Sequence, residues 1–268
     1  MNEVEVHVSD KVAVLRLSAP ARRNALTPAM AQAVIDACDD IDRQTAIGAV
    51  VLCGAGGFFC AGADRAFLAQ ATENPSEDRT YRDMGVIYDS FLRVGALKPP
   101  TIAAIRGGAV GAGVNLAFAT DLRVIGDDAI LDAGFMRLGI HPGGGHFALL
   151  CRTAGREIAA GLGLFGGTLL GSHAAAIGAA WTAVPDDAVE TSAMAIATPL
   201  ARDPDLARAT ARSFRSEVGP PAVSWAVGLQ SERAPQMWSL QRKKSTNVSR
   251  PDHEAMQSHR EDVDRHDG

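Results

Sequence analysis

Residues 101–120 read TIAAIRGGAVGAGVNLAFAT, and this stretch decides the architecture. Thr101 to Ile105 is a short, continuous apolar run, the pattern of a strand buried on both faces, and Pro99-Pro100 halts any helix before it. The glycine-rich corner Gly107 to Gly113 follows and opens a helix to about Thr120. Strand, glycine corner and helix in immediate succession are the grammar of an α/β core.

Upstream, Val4 to Leu17 alternates on either side of Ser9-Asp10-Lys11, which predicts a hairpin of two half-buried strands ended by Pro20. Thr27 before Pro28 reads as an N-cap with proline at the first helical position, and apolar residues at helical spacing carry that helix to about Arg43. Gly48 to Cys53 is a second buried strand, broken by Gly54 to Gly57. Ala71 to Arg82 is polar and reads as a mobile surface loop, with a helix from about Thr80 to Val94. Downstream, Leu122 to Ile125 is a third buried strand. The pattern predicts one α/β core over residues 1–185 and a helical region over 186–268, with helices at Asp186 to Leu200, Asp203 to Glu217 and around Trp225 to Trp238. The last segment, Gln241 to Gly268, balances six basic against six acidic residues and reads as either a docked helix or a frayed end.

The chain has 268 residues, 47% hydrophobic and 21% charged, with a net charge of -5. That is an ordinary globular composition. An acidic pI of about 5.8 argues against nucleic acid as a partner, because phosphate neutralisation needs a basic face. No apolar run is long enough for a membrane span, and the acidic start of the chain is unlike a signal peptide. Cys38, Cys53, Cys60 and Cys151 form no CxxC pair and sit in apolar contexts, which argues against metal sites and disulfides and suits a reducing cytoplasm.

Two glycine-rich corners each follow a buried strand: Phe58-Phe59-Cys60-Ala61-Gly62-Ala63-Asp64, and Gly107 to Gly113 leading into Val114-Asn115-Leu116. If they converge, two backbone amides hold one carbonyl oxygen, and the helix starting near Ala112 adds its positive end: an oxyanion hole. The plainer alternative is that these glycines only allow tight turns and close packing. A dinucleotide fingerprint does not fit, since the glycines fall as G-x-x-G-x-G rather than G-x-G-x-x-G. A phosphate loop fails for want of Gly-Lys-Ser/Thr.

Together with Pro20 to Leu26, Asp121-Leu122-Arg123 and Leu138 to Gly145, these corners closely resemble the crotonase, or enoyl-CoA hydratase/isomerase, superfamily from the hairpin to about Pro185. The resemblance implies a spiral of ββα units, a helical C-terminal region that builds a homotrimer or a dimer of trimers, and an acyl-CoA thioester as substrate, with no other cofactor. It implies the amides of Ala63 and Ala112 as the oxyanion donors. It also places Ala61 near the adenine and Arg22, Arg23 and Ala25 at the CoA entrance. Arginines suit the phosphates of CoA, although a solvated charge cluster explains them equally well. Asp64 falls within the matched CoA-binding stretch, but its position before Arg65 to Ala69 suits a helix cap.

The family's hydratases use two glutamates, and here those positions hold Asn115 and Phe135. Neither side chain exchanges a proton near neutral pH, so two-carboxylate hydration is excluded by chemistry. The nearest ionisable replacements are His141 and His146, with Asp132 as a third. A structural histidine bonded to a nearby carbonyl is the alternative for each. The resulting expectation is an enzyme that stabilises a thioester enolate, better suited to isomerisation than to hydration. A non-catalytic acyl-CoA binder is the alternative. Cys60 reads as a small buried hydrophobe, worth titrating for its place beside the corner.

Overall fold

A computed structural model gives the fold and describes residues 3–73 and 77–218. Strands β1 (Val4–Ser9) and β2 (Val12–Leu17) pair antiparallel around a two-residue turn in which Asp10 and Lys11 both take positive φ, 49° and 64°. That is the handedness a tight hairpin needs. The expectation of two half-buried strands is corrected for β1: it lies at the sheet edge and is exposed beyond Val4.

Helix α1 (Pro28–Arg43) starts as the sequence predicts, with the Thr27 hydroxyl accepting from the Met30 N–H at 3.1 Å. Strand β3 (Ala49–Gly54) follows. Helices α2 (Arg65–Glu73) and α3 (Asp78–Gly95) then replace most of the expected surface loop, and α3 begins two residues before Thr80. Asp78, Arg79, Arg82 and Asp83 form i,i+4 ion pairs along α3, so a polar stretch is helical after all. Next come β4 (Thr101–Ile105), β5 (Gly108–Val110), α4 (Ala112–Phe118), β6 (Leu122–Gly126) and β7 (Ile130–Asp132). The chain continues through α5 (His146–Ala154), α6 (Arg156–Gly163), β8 (Thr168–Leu170), α7 (Gly171–Ala176), β9 (Thr182–Val184), α8 (Val189–Ala201) and α9 (Pro204–Val218).

The main sheet has the order β1-β2-β3-β4-β6-β9, parallel from β2 onward, and β5-β7-β8 form a second, smaller sheet. Alternation along the main strands sorts the core into two layers. Leu15, Leu17, Val50, Leu52, Ala103 and Ile105 face the layer that holds α1, α3 and α4. Val12, Ala49, Val51, Ile102, Ala104 and Val124 face α8.

Residues beyond 185 also contribute to the core. Val189, Ala193, Ala197 and Ala201 of α8 complete the second apolar layer, and small side chains at four-residue spacing let the helix lie close on the sheet. The first compact unit runs from Met1 to Arg212, and the second from Ser213 to Gly268. The helix expected around Trp225 to Trp238 and the segment Gln241 to Gly268 lie outside the described residues. Cys38, Cys53 and Cys60 are buried, but Cys151 is exposed, because it sits on the outer side of α5. No described helix is long and apolar enough to cross a membrane.

Candidate active site

The two glycine-rich corners are joined backbone to backbone. Phe59 N donates to Arg106 O at 2.9 Å, and Val110 N donates to Cys60 O at 2.9 Å, across a bridge between Cys60 and Ala109. Two glycines permit this approach. A Cβ on Gly113 would lie 2.2 Å from Cys60 O, and one on Gly62, whose φ is +95°, would lie 2.8 Å from Val110 O and 3.6 Å from the Ala112 nitrogen. No side chain fits at either position.

Ala63 and Ala112 lie on these joined corners. Leu26 clasps the first of them: Leu26 N donates to Gly62 O at 2.7 Å and Asp64 N donates to Leu26 O at 2.8 Å. Those bonds occupy the groups on either side of Ala63. Among the described residues the N–H groups of Ala63 and Ala112 have no hydrogen-bond partner, and both residues are half-buried. Unpaired backbone donors at the edge of the protein interior are uncommon unless water or a ligand serves them.

Asn24 holds the first corner in place. It is buried with φ +57°, its Oδ1 accepts from Ala19 N at 2.8 Å, and its Nδ2 donates to Ala55 O at 2.9 Å and Phe58 O at 2.7 Å. The neighbouring arginines differ. Arg22 is committed to Glu3 through two bonds of 2.6 and 2.7 Å and to Ala25 O at 2.9 Å. Arg23 is exposed, its guanidinium 5.5 Å from the Phe58 ring centroid, and its carbonyl accepts from Ala61 N at 2.9 Å. Ala61 is half-buried and Ala25 buried. Asp64 caps α2, accepting from Ala66 N at 3.0 Å and Phe67 N at 3.1 Å.

Asn115, one turn into α4, is buried and donates through Nδ2 to Gly143 O at 2.9 Å. Its Oδ1 meets His146 Nδ1 at 2.7 Å. His146 is 1% exposed, and its Nε2 has no partner. Phe135 packs edge to face on this imidazole, centroids 5.1 Å apart, and its ring tip lies 3.9 Å from where a Cβ on Gly111 would stand. The structure thus gathers Asn115, Phe135 and His146 beside the second corner. Burial holds the His146 imidazolium well below its usual range, at about 4.

The remaining candidates are placed apart from this cluster. His141 is exposed, with Nδ1 2.7 Å from Pro142 O. Asp132 is bound by Arg137 and by Gly134 N at 2.9 Å, so its carboxylate has a structural occupation. Burial pushes the Cys60 thiol up to about 12, which removes it as a thiolate. Tyr88 was not singled out by any motif, yet it lines the Gly143-Gly144 turn opposite Asn115: Cβ atoms on those glycines would lie 2.3 and 3.1 Å from its ring or hydroxyl. It is exposed at its outer edge, and no local sequence signal marked it.

A family model described as enoyl-CoA hydratase/isomerase matches residues 7–227. The chain is 36% identical over 241 residues to the "Probable enoyl-CoA hydratase EchA14" of Mycobacterium tuberculosis, covering 89% of this chain and 92% of that one. It is 32% identical to the 1,2-epoxyphenylacetyl-CoA isomerase of Escherichia coli, with 74% and 76% covered. A crystal structure of a candidate enoyl-CoA hydratase from Thermobifida fusca, in complex with acetoacetyl-CoA, superposes with a TM-score of 0.78 at 27% identity, covering 90% of this chain and 96% of that one.

Proposed function

The chain belongs to the enoyl-CoA hydratase/isomerase family, and from that premise we propose that it acts on an acyl-CoA thioester through an enolate, with proton transfer at His146 instead of at carboxylates. The N–H groups of Ala63 and Ala112 receive the thioester oxygen, and Arg23 meets the phosphates of CoA, its neighbour Arg22 being committed to Glu3. The acetoacetyl-CoA bound to the Thermobifida fusca relative supports that class of ligand.

The observation that carries the reading is the pair of unpartnered amides on two corners that hydrogen-bond each other, with a buried imidazole bonded to Asn115 of the helix that starts at the second corner. Each donor aimed at a developing oxyanion supplies on the order of 3 kcal/mol. In the step, the α C–H bond breaks, its proton joins His146 Nε2, and the electron pair moves onto the thioester oxygen. Return of that proton to the γ carbon shifts a double bond, and return to the α carbon gives exchange alone. One shuttle suffices for isomerisation, whereas hydration needs a second group to activate water. His146 is favoured over His141 because it is buried beside Asn115, while His141 is exposed. Assembly as a trimer or a dimer of trimers in the cytoplasm belongs to the same reading; exposed Phe165 and Trp181 are surfaces that association would cover.

The test is to give the protein a 3-enoyl-CoA, crotonyl-CoA and a saturated acyl-CoA in deuterated water. Double-bond migration or α-deuterium uptake is the expected result, with hydration of crotonyl-CoA slow. Tight binding of every thioester with no uptake and no turnover would identify a binder that kept the hole without the chemistry, a reading favoured by the loss of both carboxylates.

A further inference from the structure

We infer that Asn115 is a positioning residue that fixes His146 as a single neutral tautomer, with the proton on Nδ1 and the lone pair on Nε2. The inference rests on the reading above only for its catalytic meaning, because the tautomer itself follows from hydrogen-bond polarity.

The Gly143 carbonyl can only accept, so the Asn115 group 2.9 Å from it is the NH2. The side-chain orientation is thereby set, and the atom 2.7 Å from His146 Nδ1 is the amide oxygen. That oxygen also can only accept. The hydrogen therefore lies on Nδ1, and in a neutral ring Nε2 has no hydrogen. A glutamate at position 115 has acceptors alone and would oppose Gly143 O; the amide, with one donor end and one acceptor end, satisfies both neighbours.

The surroundings keep the ring neutral and its free end unserved. Phe135 and Phe147 stand edge-on to the imidazole, with centroids 5.1 and 6.0 Å away. Gly163 of α6 leaves room at the Cδ2 edge, where a Cβ would lie 3.2 Å off. From α4 the facing group is Asn115, and from α3 the Tyr88 ring and hydroxyl pack on the Gly143-Gly144 turn that Asn115 also meets. No charged side chain contributes to the state of His146 among the described residues; burial alone does. Nε2 is thus a buried acceptor with nothing donating to it among the described residues, and the proposed reaction uses its free lone pair. Most buried polar atoms are satisfied, and an exception of this kind is served by water or a ligand, or has a catalytic role.

The decisive measurement is nitrogen NMR on the full chain labelled at histidine, with H146Q assigning the His146 signals. A neutral ring protonated at Nδ1 is expected, together with an ordinary mixture weighted to Nε2–H in N115L. N115D keeps Nδ1–H and raises the pH at which the ring takes up a second proton. Finding Nε2–H in the native protein, or an unchanged tautomer in N115L, overturns the inference, and the native spectrum decides even where N115L does not fold.

A second arm separates this from the reading of function. In N115L, α-proton exchange of a saturated acyl-CoA should fall on the order of 10²-fold in kcat with KM little changed, since a misassigned tautomer cripples an imidazole base. N115D should recover most of it with the acidic limb of the pH profile moved upward. Exchange unaffected by N115L, with the tautomer lost, would remove the positioning role. Exchange unaffected by H146Q would instead sink the assignment of His146 as the base and leave the tautomer result standing.

Discussion

The ring of Phe135 meets the imidazole of His146 edge to face, with planes inclined at 71°. An apolar ring here screens the histidine from water, which makes the imidazolium costly and lowers its proton affinity to about 4. A local packing choice thus becomes a property of the whole molecule.

Folded, His146 takes up no proton until the pH falls to about 4, whereas in the unfolded chain it titrates near 6.5. Between those values the unfolded state binds more protons, so stability rises with pH. The contribution is fully present above pH 6.5 and is lost as the pH falls toward 4, amounting to roughly 3 kcal/mol. Urea unfolding of native protein and H146Q should show the native protein losing ground against the variant across this window. A gap that does not change with pH would refute it.

Ala112 is the first residue of α4, where proline is tolerated because that N–H has no helical partner. A112P therefore removes the proposed oxyanion donor with little damage to the helix, and kcat should fall roughly 10²- to 10³-fold. A112G keeps the N–H and should stay within about tenfold of the native rate. Equal losses in both variants, at unchanged melting temperature, would mean that the amide has no such role.

The adjoining arginines should separate by phenotype. R23Q should raise KM for a CoA ester several-fold at low salt, with the difference shrinking as ionic strength rises, and should leave unfolding unchanged. R22A should cost about 1 kcal/mol of stability by freeing Glu3 and the Ala25 carbonyl. Parallel titrations of thioester binding and urea unfolding check both expectations.

Asn24 makes one buried and two part-buried bonds to backbone, tying Ala19 to the start of the first corner at Ala55 and Phe58. N24A strands an N–H and two carbonyls and should destabilise the protein by about 2–4 kcal/mol. N24D keeps the acceptor for Ala19 but sets a carboxylate against the Ala55 and Phe58 carbonyls, so it should be no better. Calorimetry of the two variants decides.

Much of this was legible before any coordinates. The hairpin at Asp10-Lys11, the cap at Thr27 and the buried strands declare themselves through turn chemistry, proline placement and local runs of one character. The polar stretch read as a loop up to Arg82 misled, because charges from Asp78 onward pair along α3 instead of loosening a loop. Helical periodicity in α8 was legible, but it says nothing about which surface the helix covers. Asn115 and Phe135 drew attention through the family resemblance alone. Their meeting with His146, 31 positions beyond Asn115, was not legible.

The sequence by itself determined the succession of strands and helices and the two glycine corners, because each depends on the preferences of residues close together along the chain. Only the tertiary structure decided that Cys60 and Ala109 bridge the corners, that α8 closes the second layer, and that Asn115 grips the buried imidazole while His141 faces solvent. Those outcomes depend on distances between segments remote in the chain, and on whether water or protein surrounds a polar atom, neither of which a residue's neighbours in sequence specify.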